Sequence, residues 1–236
     1  ALARYFISRG LIVAGYDRTE SKLTQELEKE GCSISYSDNP DTIPALFRNP
    51  SVKSRLLVVY TPAIPPESRI MEFFRKEGYA VLKRSEVLGE ISRATDTIAV
   101  AGTHGKTSIS TLTSHILRNS GPRCSAFLGG ISKNYNTNFM LSESRFTVIE
   151  ADEYDRSFHR LSPFIALITA TDADHLDVYG SYQSMLDAYN EFCTKIRPGG
   201  KLIINEKITD RIIVPDGIES FVYGFSADSD FRIQNF

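Results

Sequence analysis

Gly102, Gly105, Lys106 and Thr107, within "TIAVAGTHGKTSIS" at 97–110, are residue types that together hold phosphate. A glycine turn lets backbone N–H groups converge on an anion, a lysine brings a point charge to the terminal phosphates, and a threonine hydroxyl suits Mg2+. The spacing departs from the usual loop. Counting back from Gly105, the first glycine of Gly-x-x-x-x-Gly-Lys-Ser/Thr belongs at 100, where this chain has Val. The loop reads Gly-Thr-His-Gly-Lys-Thr and is two residues short. Taken alone, it is either a phosphate loop of another kind or a βα turn with an exposed lysine.

The flanks favour the phosphate loop. Thr97 to Ala101 is a short apolar run of the kind a buried parallel strand shows. Beyond the loop, Ile109, Leu112, Ile116 and Leu117 recur at helical spacing and stripe one face. Strand, turn and helix make Gly102, Thr103, His104, Gly105, Lys106, Thr107 and Ser108 the expected nucleotide-binding set.

Two acidic stretches could supply the rest of the chemistry. "VIEADEYDRSF", 148–158, ends an apolar strand on Glu150, with Asp152, Glu153 and Asp155 behind it. A strand-end carboxylate beside a phosphate loop is a natural ligand for the nucleotide's Mg2+, because a hard cation takes oxygen. The other acids read as a solvated helix start or loop. "ITATDADHLDVYG", 168–180, places Asp172, Asp174, His175 and Asp177 after another strand. His175 is expected as a metal or active-site ligand. His115, in mid-helix, and His159, after the acidic run, take structural readings.

These residues need a scaffold that brings strand ends together. Strand-like runs at 11–16, 55–60 and 79–83 alternate with helical patterns near 19–30, 67–77 and 85–93. A second alternation follows, with strands near 97–101, 146–150, 164–169, 201–205 and 220–224 and helices near 106–119 and 181–196. Alternating βα units imply parallel sheets with helices packed on them. The expected fold is α/β in two domains, 1–93 and 94–236. In the first, Asp17 follows the strand "LIVAGY", where it either holds a ribose hydroxyl or opens the next helix. "TPAIPP", beginning at Thr61, follows another strand and is either a ligand edge or a rigid loop. The opening "ALARYFISRG" reads as a helix with no strand before it, and "SDFRIQNF" stops within a strand, so both ends are expected to be cut.

Bulk composition narrows the class. A net charge of −2 over 236 residues supplies no global basic field for nucleic acid or anionic membrane. The longest apolar runs are too short to span a bilayer. Cys32, Cys124 and Cys193 are scattered, which suits reduced thiols in a cytoplasmic protein.

A shortened Gly-Thr-His-Gly-Lys-Thr loop, then "EADEYDRSF", then "DADHLDVYG", resembles the Mur ligases, and within them the alanine-adding branch. The resemblance runs through essentially the whole chain, including "VVYTPAIP" and "AFLGGISKNYNTN". It implies that the short loop is normal for the family. It also implies a Rossmann-like N-terminal domain that binds a UDP-sugar, followed by a P-loop-type parallel-sheet domain that binds ATP. The implied reaction is ATP-driven amide formation. The carboxylate of UDP-N-acetylmuramate takes the γ-phosphate, and L-alanine displaces phosphate from the acyl phosphate, aided by Mg2+ and a lysine.

Residue by residue, the resemblance makes Lys106 and His175 catalytic, Gly102 to Ser108 the ATP-phosphate cradle, and Thr107, Glu150 and His175 the metal positions. Asp17, Thr61, Gly129, Gly130 and Lys133 fall where the family approaches the UDP-sugar. Other branches carry a carbamylated Lys downstream of the metal His; the corresponding position here is near Asn190, in "DAYNEF". A muropeptide-recycling ligase is the nearest alternative, although that branch typically has Asp-His-Ala-Asp where this chain has "DHLD". The resemblance implies that the family's first Gly-rich turn would precede Ala1, and that its adenine-contacting segment and third domain would follow Phe236. An inert nucleotide-binding module is therefore the competing reading.

Overall fold

The computed structural model describes residues 1–235, which divide into two compact units after Val87. In the first unit, helices and strands alternate: α1 (Leu2–Ser8), β1 (Ala14–Tyr16), α2 (Lys22–Lys29), β2 (Ser33–Ser35), α3 (Ala45–Arg48), β3 (Leu57–Tyr60), α4 (Arg69–Lys76) and β4 (Ala80–Lys83). β1 pairs with β2 and β3 with β4, both parallel, as two separate two-stranded ladders. Ile43, Ile70, Phe74 and Tyr79 form the buried core of this unit, with Tyr16, Val58 and Val81 packed against it. α5 (Arg84–Ala94) carries the division between the units.

Asp38 secures α4 from a distance. Its carboxylate accepts from the Ser68 hydroxyl at 2.9 Å and from the backbone N–H groups of Arg69 and Ile70 at 2.9 and 3.0 Å. These are otherwise orphaned donors of the helix's first turn. Burial pushes this carboxyl up, but the hydrogen bonds outweigh it and hold the group below its ordinary value of 3.8. Asp38→Ala should lower stability by about 1–2 kcal/mol, the worth of a helix cap. A depressed carboxyl contributes stability that is complete above its unfolded pKa and is lost as pH falls through the folded one. The gap between wild type and variant in urea denaturation should therefore close as the pH is taken below 3.8. A gap that persists there would assign the loss to something other than the charged cap.

The second unit continues with β5 (Asp96–Ala101), α6 (Lys106–Asn119), β6 (Ser125–Ser132), β7 (Thr137–Met140), β8 (Phe146–Glu150), β9 (Ile165–Ile168), α7 (Leu176–Tyr179), α8 (Tyr182–Cys193), β10 (Lys201–Asn205), β11 (Glu219–Gly224) and β12 (Phe231–Arg232). One eight-stranded sheet runs β12-β11-β10-β9-β5-β8-β6-β7, parallel except for the antiparallel edge pair β6–β7. Central β5 lies between β8 and β9, with Ile98 opposite Val148 on one side and Ile165 on the other. Ala99, Val100 and Ala101 are fully buried, as a strand covered on both faces requires.

The helical stripe after the loop packs differently from expectation. Leu112 and Ile116 are exposed, and the buried residues of α6 are Ser110 and Ser114. Small side chains let α6 lie close to the sheet. Their hydroxyls stay satisfied by bonding back to the carbonyls of Lys106 and Ser110. The helix expected over 181–196 ends earlier, at Cys193, and its start is capped by Ser181. The sequence pattern does not mark the β6–β7 hairpin, because its glycines and asparagines break the alternation of a strand.

Cys32, Cys124 and Cys193 are all free and buried. Burial raises the Cys124 thiol to about 11 and the Cys193 thiol to about 12. The native protein should react slowly with a thiol reagent at neutral pH, and the denatured protein should give three free groups without reductant. A denatured count of one would mean that a disulfide had formed.

Candidate active site

The carboxyl ends of β5, β8 and β9 are neighbours, and β5 is where the chain's path through the sheet reverses direction, the usual place for a ligand crevice. The phosphate loop leaves β5 there. Gly102 has φ +131°, and a Cβ at this position would meet the Thr169 hydroxyl at 2.1 Å. Only glycine lets the loop lie this close to the end of β9. The Thr103 N–H donates to the Ala170 carbonyl at 3.0 Å, and the Asp172 N–H to the Thr103 hydroxyl at 3.1 Å. The His104 carbonyl accepts from Thr169, while its ring stays exposed, 3.7 Å from Asp172.

Gly105 adopts a left-handed conformation with φ +82° and opens α6 without a side-chain cap. The first-turn N–H groups of α6 are therefore free for an anion, and Lys106, Thr107 and Ser108 occupy that turn. Lys106 Nζ donates to the Gly102 carbonyl at 2.8 Å and to Glu153 Oε1 at 2.7 Å. Its neighbour Thr107 donates its hydroxyl to Glu150 Oε1 at 2.8 Å. Glu150 Oε2 accepts from the Gly129 N–H at 2.8 Å, and a Cβ on residue 129 would lie 2.4 Å from the carboxylate. Gly129 thus lies against the metal-binding candidate and positions it. Gly130 follows within β6, and Lys133 is exposed in the turn after it.

Glu153 overturns the reading of its cluster as a solvated loop. It is completely buried and ion-paired with Lys106. Burial pushes its carboxyl above the ordinary range against the pull of Lys106. Its own carbonyl accepts the Tyr179 hydroxyl at 2.5 Å. Asp155 and Arg156 turn the chain back through left-handed φ values of 51° and 59°. Nothing in the sequence separates Glu153 from Asp152 or Asp155; only the turn and the burial do.

His175 caps α7 with φ +51° and is about one-third exposed. Its Nε2 lies 3.8 Å from Asp174 Oδ2 and 3.9 Å from Glu153 Oε1. His175 therefore joins the Lys106–Glu153 group, while Thr107 and Glu150 form the adjoining one. The other two histidines have structural partners, His115 the Tyr135 hydroxyl at 2.8 Å and His159 the Ala188 carbonyl at 2.9 Å. Asn190, where related branches carry a lysine, clasps a neighbouring loop through the Arg211 carbonyl and the Ile213 N–H, at 3.2 and 2.8 Å.

In the first unit, Asp17 Oδ1 accepts from the Thr19 N–H at 3.1 Å. It does not open α2, which is capped by Ser21 in a reciprocal pair with Thr24. Thr61 begins the bend after β3 and accepts at its carbonyl from Ile64 at 3.1 Å.

The donors suit Mg2+ with a nucleotide. No three His, Cys, Asp or Glu side chains form a metal cage among the described residues. Mg2+ commonly takes one or two protein oxygens and completes its shell with water and phosphate, and Thr107 and Glu150 offer such a pair. No helix among the described residues is long and apolar enough to cross a membrane.

Residues 1–95 match the model of the Mur ligase family, catalytic domain, and residues 100–236 that of the Mur ligase middle domain. Over 236 residues the chain is 48% identical to the UDP-N-acetylmuramate–L-alanine ligase of Phocaeicola vulgatus, covering 100% of this chain and 51% of that protein. Identity to the ligase of the same name from Parabacteroides distasonis is 47%, covering 100% and 50%. The chain thus spans about half the length of the curated relatives it matches. Among solved structures, UDP-N-acetylmuramate-alanine ligase from Thermotoga maritima superposes with a TM-score of 0.78 at 24% identity, covering 97% of this chain and 50% of that one. UDP-N-acetylmuramate:L-alanyl-gamma-D-glutamyl-meso-diaminopimelate ligase from Neisseria meningitides gives 0.81 at 21%, covering 94% and 73%. At these identities the two structures share its fold.

Proposed function

This chain belongs to the Mur ligase family, and we propose that it is the nucleotide-handling half of a cytoplasmic ligase of peptidoglycan synthesis, joining L-alanine to the carboxylate of UDP-N-acetylmuramate with ATP. The observation that carries the ATP chemistry is the Thr107–Glu150 contact of 2.8 Å, beside Lys106 at an uncapped helix start. The choice of L-alanine is supported by a match over the whole of this chain, and about half of theirs, to relatives of that name.

In this reading the Gly102–Ser108 loop holds the ATP phosphates through its N–H groups, and the Lys106 ammonium faces the terminal phosphate. Thr107 and Glu150 hold Mg2+, which neutralises phosphate charge when bound, and His175 serves a second cation position. The loop keeps the phosphates in line with the incoming muramyl carboxylate, so positioning and charge compensation supply the catalysis. The resulting acyl phosphate then yields its phosphate to the amine of L-alanine. Residues 1–93 serve the UDP-sugar, with Asp17 and Thr61 as candidate contacts, and 94–236 serve ATP; Gly129, Gly130 and Lys133 are further candidates that the family resemblance assigns to the sugar nucleotide.

Phosphate release from Mg2+·ATP by the whole protein should require both UDP-N-acetylmuramate and L-alanine. Release that demands a tri- or tetrapeptide instead would transfer the assignment to a recycling ligase. Binding of Mg2+·ATP without any turnover would leave a nucleotide-binding module. Glu150→Gln keeps the side-chain size and removes the charge, so it should weaken Mg2+·ATP binding by about a hundredfold, the scale of two charge-assisted contacts. Unchanged calorimetric affinity would exclude Glu150 from the metal site.

A further inference from the structure

We propose that Glu153 is a positioning residue that pre-sets the phosphate-loop lysine for nucleotide; this rests on the nucleotide-binding reading above. Three observations lead there. The first is the geometry of the ammonium. A lysine Nζ has three N–H donors. Those of Lys106 reach the Gly102 carbonyl at 2.8 Å and Glu153 Oε1 at 2.7 Å, which leaves a third for a phosphate oxygen. A lysine stem carries considerable rotamer freedom, and here it is already spent before ligand arrives.

The second is how firmly the carboxylate is held. Glu153 is fully buried, and its backbone is fixed on both sides. Its carbonyl accepts from Tyr179 and from the Arg156 N–H, while the Phe158 N–H closes onto the Asp152 carbonyl at 3.0 Å. The third is the surplus of acceptor. Glu153 Oε2 is buried with no hydrogen-bond partner among the described residues, while Oε1 serves Lys106 and lies 3.9 Å from His175 Nε2. A purely structural acid would be expected to satisfy both oxygens. A buried carboxylate behind a phosphate site adds repulsion toward the ligand, and its hold on Lys106 is the contribution that opposes this.

Repulsion and positioning predict opposite signs, which makes the idea testable by calorimetry with Mg2+·ATP. Wild type, Glu153→Gln, Lys106→Met and the double variant form the cycle. Under positioning, Glu153→Gln weakens binding by roughly five- to tenfold, the worth of one pre-immobilised side chain, although a negative charge has been removed. It should then have no further effect once Lys106 is Met. Binding that is unchanged or tighter in Glu153→Gln, or equal losses with and without Lys106, would overturn the proposal. If Lys106→Met binds as well as wild type, the nucleotide reading falls and this one with it. If Lys106→Met loses binding while Glu153→Gln does not, only the positioning role falls. Should Glu153→Gln fail to fold, Glu153→Asp applies the same test. It keeps the charge and withdraws it by one methylene, and should weaken binding in the same direction.

Discussion

Replacing Lys106 with Ala should weaken Mg2+·ATP binding by about a hundredfold, still within reach of calorimetry at high nucleotide concentration, and abolish nucleotide-dependent chemistry. At the same time it should lower the stability of the nucleotide-free chain. The first effect follows from losing the only loop side chain that brings a positive charge to the terminal phosphates. The second follows from the fold, because Lys106 neutralises a fully buried carboxylate. Stranding a buried charge can cost about 3–5 kcal/mol. Here the loss is limited, because burial already holds the Glu153 carboxyl above its ordinary 4.5 and the variant can keep a proton on it. A destabilisation of about 1–3 kcal/mol is expected near neutral pH. The folded chain keeps a proton that the unfolded chain releases, so the deficit should grow as pH rises above 4.5. Denaturant midpoints across pH, with calorimetry at one pH, measure both effects. A variant as stable as wild type at neutral pH would mean that the Lys106–Glu153 pair contributes nothing to folding.

Gly102→Ala should damage binding at least as much, by a different route. The new methyl would sit 2.1 Å from the Thr169 hydroxyl and within 3.0 Å of the Ala170 backbone, at a φ of +131°. Strain of this kind costs about 1–3 kcal/mol when the structure holds it in place. The loop has an easier escape, which is to lift away from the end of β9 and break the Thr103–Ala170 bond. Either response displaces the N–H groups that would face phosphate. Mg2+·ATP affinity should fall by more than about a hundredfold, since several charge-assisted contacts move together. Gly105→Ala, whose added methyl would meet only Thr169 at 4.0 Å, should cost less. Equal affinities for Gly102→Ala and wild type would show that the loop does not wrap the ligand.

The sequence by itself determined most of the scaffold. Short apolar runs ending in Ala101, Glu150 and Ile168 mark buried parallel strands, because only a strand covered on both faces is apolar at every position. Glycines in a turn between strand and helix mark the phosphate loop, because backbone conformation restricts residue choice there. Glu150 was readable for a similar reason, since it stands at the end of its strand.

Other features depended on the tertiary structure. Leu112 and Ile116 follow helical spacing as well as any buried pair, yet α6 turns Ser110 and Ser114 inward, because close approach to the sheet favours small side chains. Gly129 is spoken for by a carboxylate twenty-one residues away in sequence. Glu153 is chemically indistinguishable from its acidic neighbours along the chain. Burial, and a lysine 47 residues distant, single it out. Local conformational preference is written in neighbouring residues, whereas desolvation and charge pairing depend on which distant segments the fold brings together.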